Sequence, residues 1–255
     1  MKNRTLTAAI TMSLLSGVAL ADSYQGEAGF IYDNSKLDNT PSYNSYTIGG
    51  SFYFNPVNDS KGPRMEAAFL DRASSVSASF TNSDSDLFDR SYTLDTRVVL
   101  NNGFILKAGY GDLYRSEKTY QVGIGTYLTD RSDIVASYTR AKNADIDTWD
   151  VTYHGVEKLA GTSSVGYSVG AGYVRLPTSS NGYRLDADLT YYFDANLGLG
   201  ALASYADYDI LKTTTFGIQA NYFVTPLFYV EGYAKTTDYD GPSEDSFGVG
   251  ASLRF

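Results

Sequence analysis

The sequence predicts an all-β fold: a transmembrane, antiparallel up-and-down β-barrel of about fourteen strands, with twelve to sixteen compatible with the pattern. Three observations lead there. Apolar residues alternate with small or polar ones through most of the chain. Aromatic residues gather near the ends of these alternating runs. The chain also stops in mid-pattern on "SFGVGASLRF", residues 246–255. A period of two is the signature of a strand with two different faces. Chain ends usually fray, so a two-faced strand that runs to Phe255 needs a partner strand to hold it.

The alternating runs can be taken in order. "YTLDTRVVL" (92–100) sets Tyr92, Leu94, Val98 and Leu100 against Asp95 and Arg97, and "FILKAGY" (104–110) sets Phe104, Leu106, Ala108 and Tyr110 against Lys107 and Gly109. "VGYSVGAGY" (165–173) alternates large residues with Gly and Ser, and "YRLDADLTYYF" (183–193) alternates apolar residues with Arg184, Asp186, Asp188 and Thr190. Tight turns are expected at Asn101–Gly103, Thr129–Ser132, Asp194–Asn196 and Thr225–Pro226. Longer acidic connections are expected near 33–43, 82–89, 112–118, 140–147, 207–213 and 236–245. Short turns on one edge and longer loops on the other mark a transmembrane barrel. Strands are expected to start near 24, 46, 65, 88, 104, 119, 133, 147, 165, 183, 197, 214, 228 and 246. An even count places both termini on the short-turn side, expected to be periplasmic. Residues 64–80 break the phase: Met65, Ala67 and Phe69 are odd, whereas Val76, Ala78 and Phe80 are even. Either a bulge shifts the register or 64–72 forms a short helical segment.

Residues 1–21 read as a secretory signal peptide, with Lys2 and Arg4 before an apolar stretch and Ala19-Leu20-Ala21 as the cleavage site. The remaining 22–255 reads as one barrel domain. The chain has no cysteine, so disulfides do not hold it together. Without Lys2 and Arg4 the balance is 18 basic against 29 acidic side chains, a net −11, which argues against nucleic acid as a partner. With 23 Tyr, 13 Phe and 24 Gly but 6 Pro, the composition is unlike that of an average soluble domain. Inward Arg184, Asp186 and Asp188 cannot face lipid, and an apolar face over fourteen strands cannot face water. Closure satisfies both demands and leaves no unpaired sheet edge in a bilayer. Outward Phe104, Tyr110, Tyr183, Phe193, Tyr205 and Tyr222 would form interfacial girdles. A soluble β-sandwich is the alternative fold.

The mature region resembles the small general porins of Gram-negative bacteria, most clearly at "FYFNPV", "GPRMEAAFLDRASSVSASF" and the terminal strand. The resemblance implies a diffusion channel in the cell outer membrane and carries over no ligand residues. The terminal Phe247, Val249, Ala251, Leu253 and Phe255 look like the signal that such proteins present to the outer-membrane assembly machinery.

The expected pore-lining residues are Glu27, Asp95, Arg97, Lys107, Gln121, Arg184, Asp186, Asp188, Gln219, Glu231 and Lys235. Inward glycines such as Gly109, Gly166 and Gly172 would leave room for water, and no segment looks long enough to plug the lumen. Counting back from the 101–103 turn puts Arg97 opposite Lys107, an unfavourable pairing that water or an acidic partner must screen. Asp186 and Asp188 should lie near the opposite wall. Tyr127, Tyr192, Tyr229 and Tyr233 could stack against sugars. Arg254 and Glu27 should meet across the closing seam. Loop carboxylates, including Asp33, Asp38, Asp84, Asp86, Asp89, Asp145, Asp147, Asp207, Asp209, Asp238, Asp240, Glu244 and Asp245, suggest an acidic mouth with mild cation preference.

Catalysis is not expected. The one histidine, His154, should face inward near the short-turn end, and no G-x-S-x-G elbow accompanies it. No cofactor or metal is expected, since no His or Cys cluster suits one. Expected partners are outer-membrane lipid and lipopolysaccharide, the assembly machinery, and small polar solutes and ions; monomer and homotrimer both fit. The alternative function is a non-conducting structural or adhesive barrel.

Overall fold

The computed structural model describes residues 23–85, 88–113, 117–177, 181–208 and 211–255. The segment read as a signal peptide, loop residues Asp86 and Asp209, and the side chain of Asp89 lie outside the described residues.

Fourteen strands follow one another: β1 (Ser23–Leu37), β2 (Tyr43–Asn58), β3 (Ser75–Ser85), β4 (Phe88–Val99), β5 (Phe104–Leu113), β6 (Glu117–Thr129), β7 (Ser132–Ala141), β8 (Ile146–Lys158), β9 (Ser164–Arg175), β10 (Asn181–Tyr192), β11 (Leu197–Asp207), β12 (Lys212–Thr225), β13 (Phe228–Asp238) and β14 (Ser243–Arg254). Each pairs antiparallel with its neighbours, and β14 pairs with β1 to close the barrel. Closure pairs the backbone through the last residue. The Phe255 carbonyl accepts from the amides of Gln25 and Gly26, both at 2.8 Å, and the Phe255 amide donates to Gly26 at 2.9 Å. That is why the final strand does not fray.

The alternation separates the two faces as the sequence implies. Ile48, Val122, Phe216 and Ile218 lie on the outer face and are more than half exposed. A polypeptide in water rarely leaves so continuous an apolar surface bare, whereas lipid covers it at no cost. Paired outward aromatics form a belt toward one end of the barrel: Tyr32 and Tyr46, Phe80 and Tyr92, Tyr110 and Tyr120, Tyr138 and Trp149, Tyr183 and Tyr205, with ring centroids 5.1–5.9 Å apart. Phe104, Tyr153, Tyr167, Tyr191, Phe193 and Tyr222 mark the other end.

Two expectations need correction. The third strand begins at Ser75, ten residues later than the reading near 65. The intervening Asp59–Ser74 instead carries a 3-10 turn (Arg64–Glu66) and a single helical turn, α1 (Ala67–Leu70). Length also falls at the opposite edge from that expected. The strands run on into the acidic stretches, so that Asp33, Asp84, Asp147, Asp207, Asp238, Glu244 and Asp245 are strand residues, and the longest connection, 59–74, lies at the turn end. Backbone pairing outlasts the apolar band because water tolerates a continued ladder.

Candidate pore and its constriction

The 59–74 segment folds inside the barrel. Its contacts reach strands far apart around the wall. Arg64 bonds Asp59 at 2.9 Å and the side chain of Asn196, beyond β10, while the Arg64 amide donates to Ala195. Glu66 accepts from Tyr192 Oη of β10 at 2.9 Å and pairs with His154 Nε2 of β8 at 3.0 Å. Phe69 stacks on Tyr127 of β6 at 5.4 Å and meets the His154 ring edge-on at 4.3 Å. Tyr127 Oη donates to the Phe69 carbonyl at 2.8 Å, and Arg254 of β14 donates to the Arg64 carbonyl at 2.9 Å. One short segment can touch β6, β8, β10 and β14 together only by lying across the lumen. These side chains therefore define the inner face, and strand alternation carries that assignment to the rest.

The expectation that no segment could plug the lumen is thus overturned. The segment is anchored by two apolar clusters, Tyr24, Tyr53 and Val57 around Ala67, and Ile105, Tyr127 and Val135 beneath Phe69. Leu70 is buried as well, and full burial of such a side chain contributes roughly 1.5–3 kcal/mol. Of the tyrosines assigned to sugar stacking, Tyr127 and Tyr192 are occupied by this segment. Tyr229 donates to Glu27 at 3.0 Å and Tyr233 donates to Asp33. Nor is every inner glycine room for water. A Cβ on Gly166 would meet Glu66 Oε1 at 2.8 Å and Tyr192 at 3.0 Å, so this glycine makes space for the inserted segment. Gly172 similarly clears Asp150 and Arg184.

The register places the expected lining residues on the inner face. Arg97 lies opposite Lys107, and Asp95 opposite Gly109. The acidic partner that screens the cations is Asp133 of β7, 2.6 Å from Arg97 and almost fully buried. The sequence does not reveal this partner, because Arg97 and Asp133 are thirty-six residues apart and lie on strands that are not neighbours. Arg184 is held by Asp150 of β8 at 2.8 Å and stands 3.8 Å from Asp186. Gln121 donates to Thr139 at 3.2 Å, and Gln219 donates to Asp188 at 2.7 Å. Glu231 pairs in register with Asn221 and Gly250, and Lys235 with Gly217 and Ser246. A cavity of about 220 Å³ lies beside the segment, lined by Glu66, Asp188, Gln219, Asn221 and Glu231 among others.

Charge at the loop end is uneven. Asp147, fully buried on the outer face, accepts from Tyr138 at 2.6 Å and from Arg140 at 2.8 Å, and pairs with Arg175. Asp145 also pairs with Arg140, and Asp207 with Lys212 at 3.3 Å. Near the closing seam, Asp84 accepts from Asn44, Asp38 from the Ser243 amide, and Glu244 from Tyr43, with no cation in these bonds. Among the described residues, the acidic mouth expected from composition is therefore a sector, not a ring.

A closed fourteen-stranded barrel with an apolar, aromatic-belted outside and a polar inside is an outer-membrane barrel of the channel-forming class. The chain belongs to the family described as "Putative general bacterial porin", which it matches over residues 1–173. Its place is accordingly the outer membrane of a Gram-negative bacterium. Among solved structures it is similar to the Acinetobacter baumannii outer membrane protein Omp33, with a TM-score of 0.70 and 24% identity over 92% of this chain and 100% of that one. It is also similar to a loop-deleted form of OmpT from Vibrio cholerae, with a TM-score of 0.50 and 10% identity over 90% of this chain and 98% of that one. These likenesses concern the fold. No curated protein matches the sequence.

Truncating Phe69 to alanine should loosen the segment without disturbing the strand ladder. Truncating a fully buried aromatic costs about 3–5 kcal/mol, and the half-buried Phe69 should cost less. The expected result is more frequent or longer high-conductance events in single-channel records, and traces identical to the unaltered protein would show that Phe69 does not hold the constriction.

Proposed function

We propose that the protein is a porin for passive diffusion of small hydrophilic solutes and ions, narrowed at the turn end by residues 59–74 and mildly cation-preferring. The observation that carries this reading is the polar inner face of a barrel whose outer face is apolar. Eight strands fill their own interior with side chains, and larger barrels leave aqueous space. With the turn end in the periplasm, residues 1–21 act as the export signal, and Phe247, Val249, Ala251, Leu253 and Phe255 present the terminal strand to the assembly machinery.

Cation preference follows from the charges left unbalanced. Arg97 and Arg184 are each neutralised by a carboxylate. Glu231 and Asp188 share the cavity beside the segment with Glu66, while the acidic sector at the loop end concentrates cations within about 10 Å at 0.1 M salt. Lys107, half-buried and opposite Arg97, opposes this. Replacing Lys107 with Gln should move the reversal potential in a salt gradient further toward cations, more so at low ionic strength. An unmoved potential would take Lys107 out of the ion path. His154, held by Glu66 and packed edge-on against Phe69, braces the 59–74 segment.

A further inference from the structure

At the turn end a cavity of about 660 Å³ opens between the inserted segment and the barrel wall, lined by Lys61, Leu70, Arg72, Asp130, Arg131 and Lys158. Its charge runs against that of the molecule. The chain carries a formal −9, yet four cations converge here on one carboxylate, with Asp71 just behind on Lys61 at 2.5 Å. Arg72 pairs with Asp130 at 2.8 Å and lies over the Tyr127 ring at 4.7 Å. Its φ of +54° is the left-handed cap that ends α1, with its amide donating to the Phe69 carbonyl at 3.0 Å and the Ala73 amide to Ala68 at 2.9 Å.

Arg131 and Lys158 have no carboxylate partner among the described residues. Arg131 spends Nε on the Val156 carbonyl at 3.0 Å and Nη1 on the Lys61 carbonyl at 3.5 Å. Its Nη2 is buried with no acceptor. A buried donor left without an acceptor is costly and rare, and here it belongs to a permanently charged planar group suited to bidentate oxygens. The four cations come from two parts of the fold. Lys61 and Arg72 ride on the inserted segment, Arg131 on the β6–β7 turn, and Lys158 at the end of β8.

We propose that this cavity binds a small phosphate-type oxyanion, and that the bound anion fastens the 59–74 segment to the wall. Oxygens placed between Arg131, Lys158 and the two segment cations relieve their mutual repulsion and give the orphaned nitrogen an acceptor. The consequence for conduction rests on the channel reading, whereas the binding does not.

The test is therefore a melting measurement, with inorganic pyrophosphate as the probe. The mature chain, refolded in an uncharged detergent, is heated while Trp149 fluorescence and heat-modifiable gel mobility are followed, in pyrophosphate or chloride at equal ionic strength. The expected result is a higher unfolding temperature in pyrophosphate, lost in R131Q/K158Q and in K158Q alone. The shift should persist in R140Q/R175Q at the opposite end. K158Q keeps the test sound where Arg131 variants fold poorly, since Lys158 is exposed. Repeating the measurement in phosphatidylglycerol and phosphatidylcholine nanodiscs separates the sources. A pyrophosphate shift in both discs assigns a free anion. A K158Q-sensitive stabilisation by phosphatidylglycerol that abolishes the pyrophosphate shift assigns a lipid headgroup. Absence of any shift, or an equal shift in K158Q, overturns the site.

Discussion

Replacing residues 59–73 with a linker of about six Gly and Ser residues should raise single-channel conductance several-fold. The linker can span the gap. β2 continues five residues past Tyr53, the last to pair with β3, a distance of about 17 Å, and about six extended residues reach roughly 20 Å. What leaves with the segment is the whole crossing: Arg64 from Asn196, Glu66 from His154 and Tyr192, and Phe69 from Tyr127. The pore's own resistance then falls at its narrowest point, and the ion path is set by strand side chains alone. Tyr24, Tyr53 and Val57 lose their cover, so the variant should melt lower while keeping its heat-modifiable, folded mobility. Unchanged conductance in a folded variant would mean the segment does not narrow the path.

The second large effect is at the seam. Arg254 is 3% exposed, bonds Glu27 at 2.7 Å and the Arg64 carbonyl at 2.9 Å. Its guanidinium also lies 4.3 Å from the Tyr24 ring centroid and 4.6 Å from that of Phe223. Removing one partner of a buried pair leaves the other charge uncompensated and costs about 3–5 kcal/mol. Arg254→Ala should therefore lower the unfolding temperature of the barrel more than any single substitution on the outer face. Arg254→Lys should recover only part, because an ammonium cannot serve Glu27, the carbonyl and the stacked rings together. An alanine variant that melts with the unaltered protein would show that the seam is held by backbone pairing alone.

How far the sequence shows this arrangement depends on how local the signal is. Strand starts at 104, 197 and 228 coincide with those in the structure because short turns punctuate a period-two pattern there. Starts at the loop end are misplaced by up to three residues, as at Tyr43 and Ser243, because strands outrun their apolar stretch. The one large miss has a specific origin. Met65, Ala67 and Phe69 mimic strand alternation, but Glu66 and Phe69, three apart, meet His154 together from one side of a helical segment. The phase break at 64–80 leaves a bulge and a short helical segment at 64–72 both open, and the structure has the helical one. The facing of Arg97 and Lys107 is legible because a tight turn fixes the register. Its solution at Asp133 is not, since it bridges side chains thirty-six residues apart.

The most direct test of the account is single-channel recording of the unaltered mature protein in a planar bilayer, with a salt-gradient reversal potential. The account predicts discrete, stable but small conductance steps with a reversal potential displaced toward cations, the displacement shrinking at high salt. A folded, heat-modifiable barrel that passes no current would contradict it and mark the protein as a closed structural or adhesive barrel.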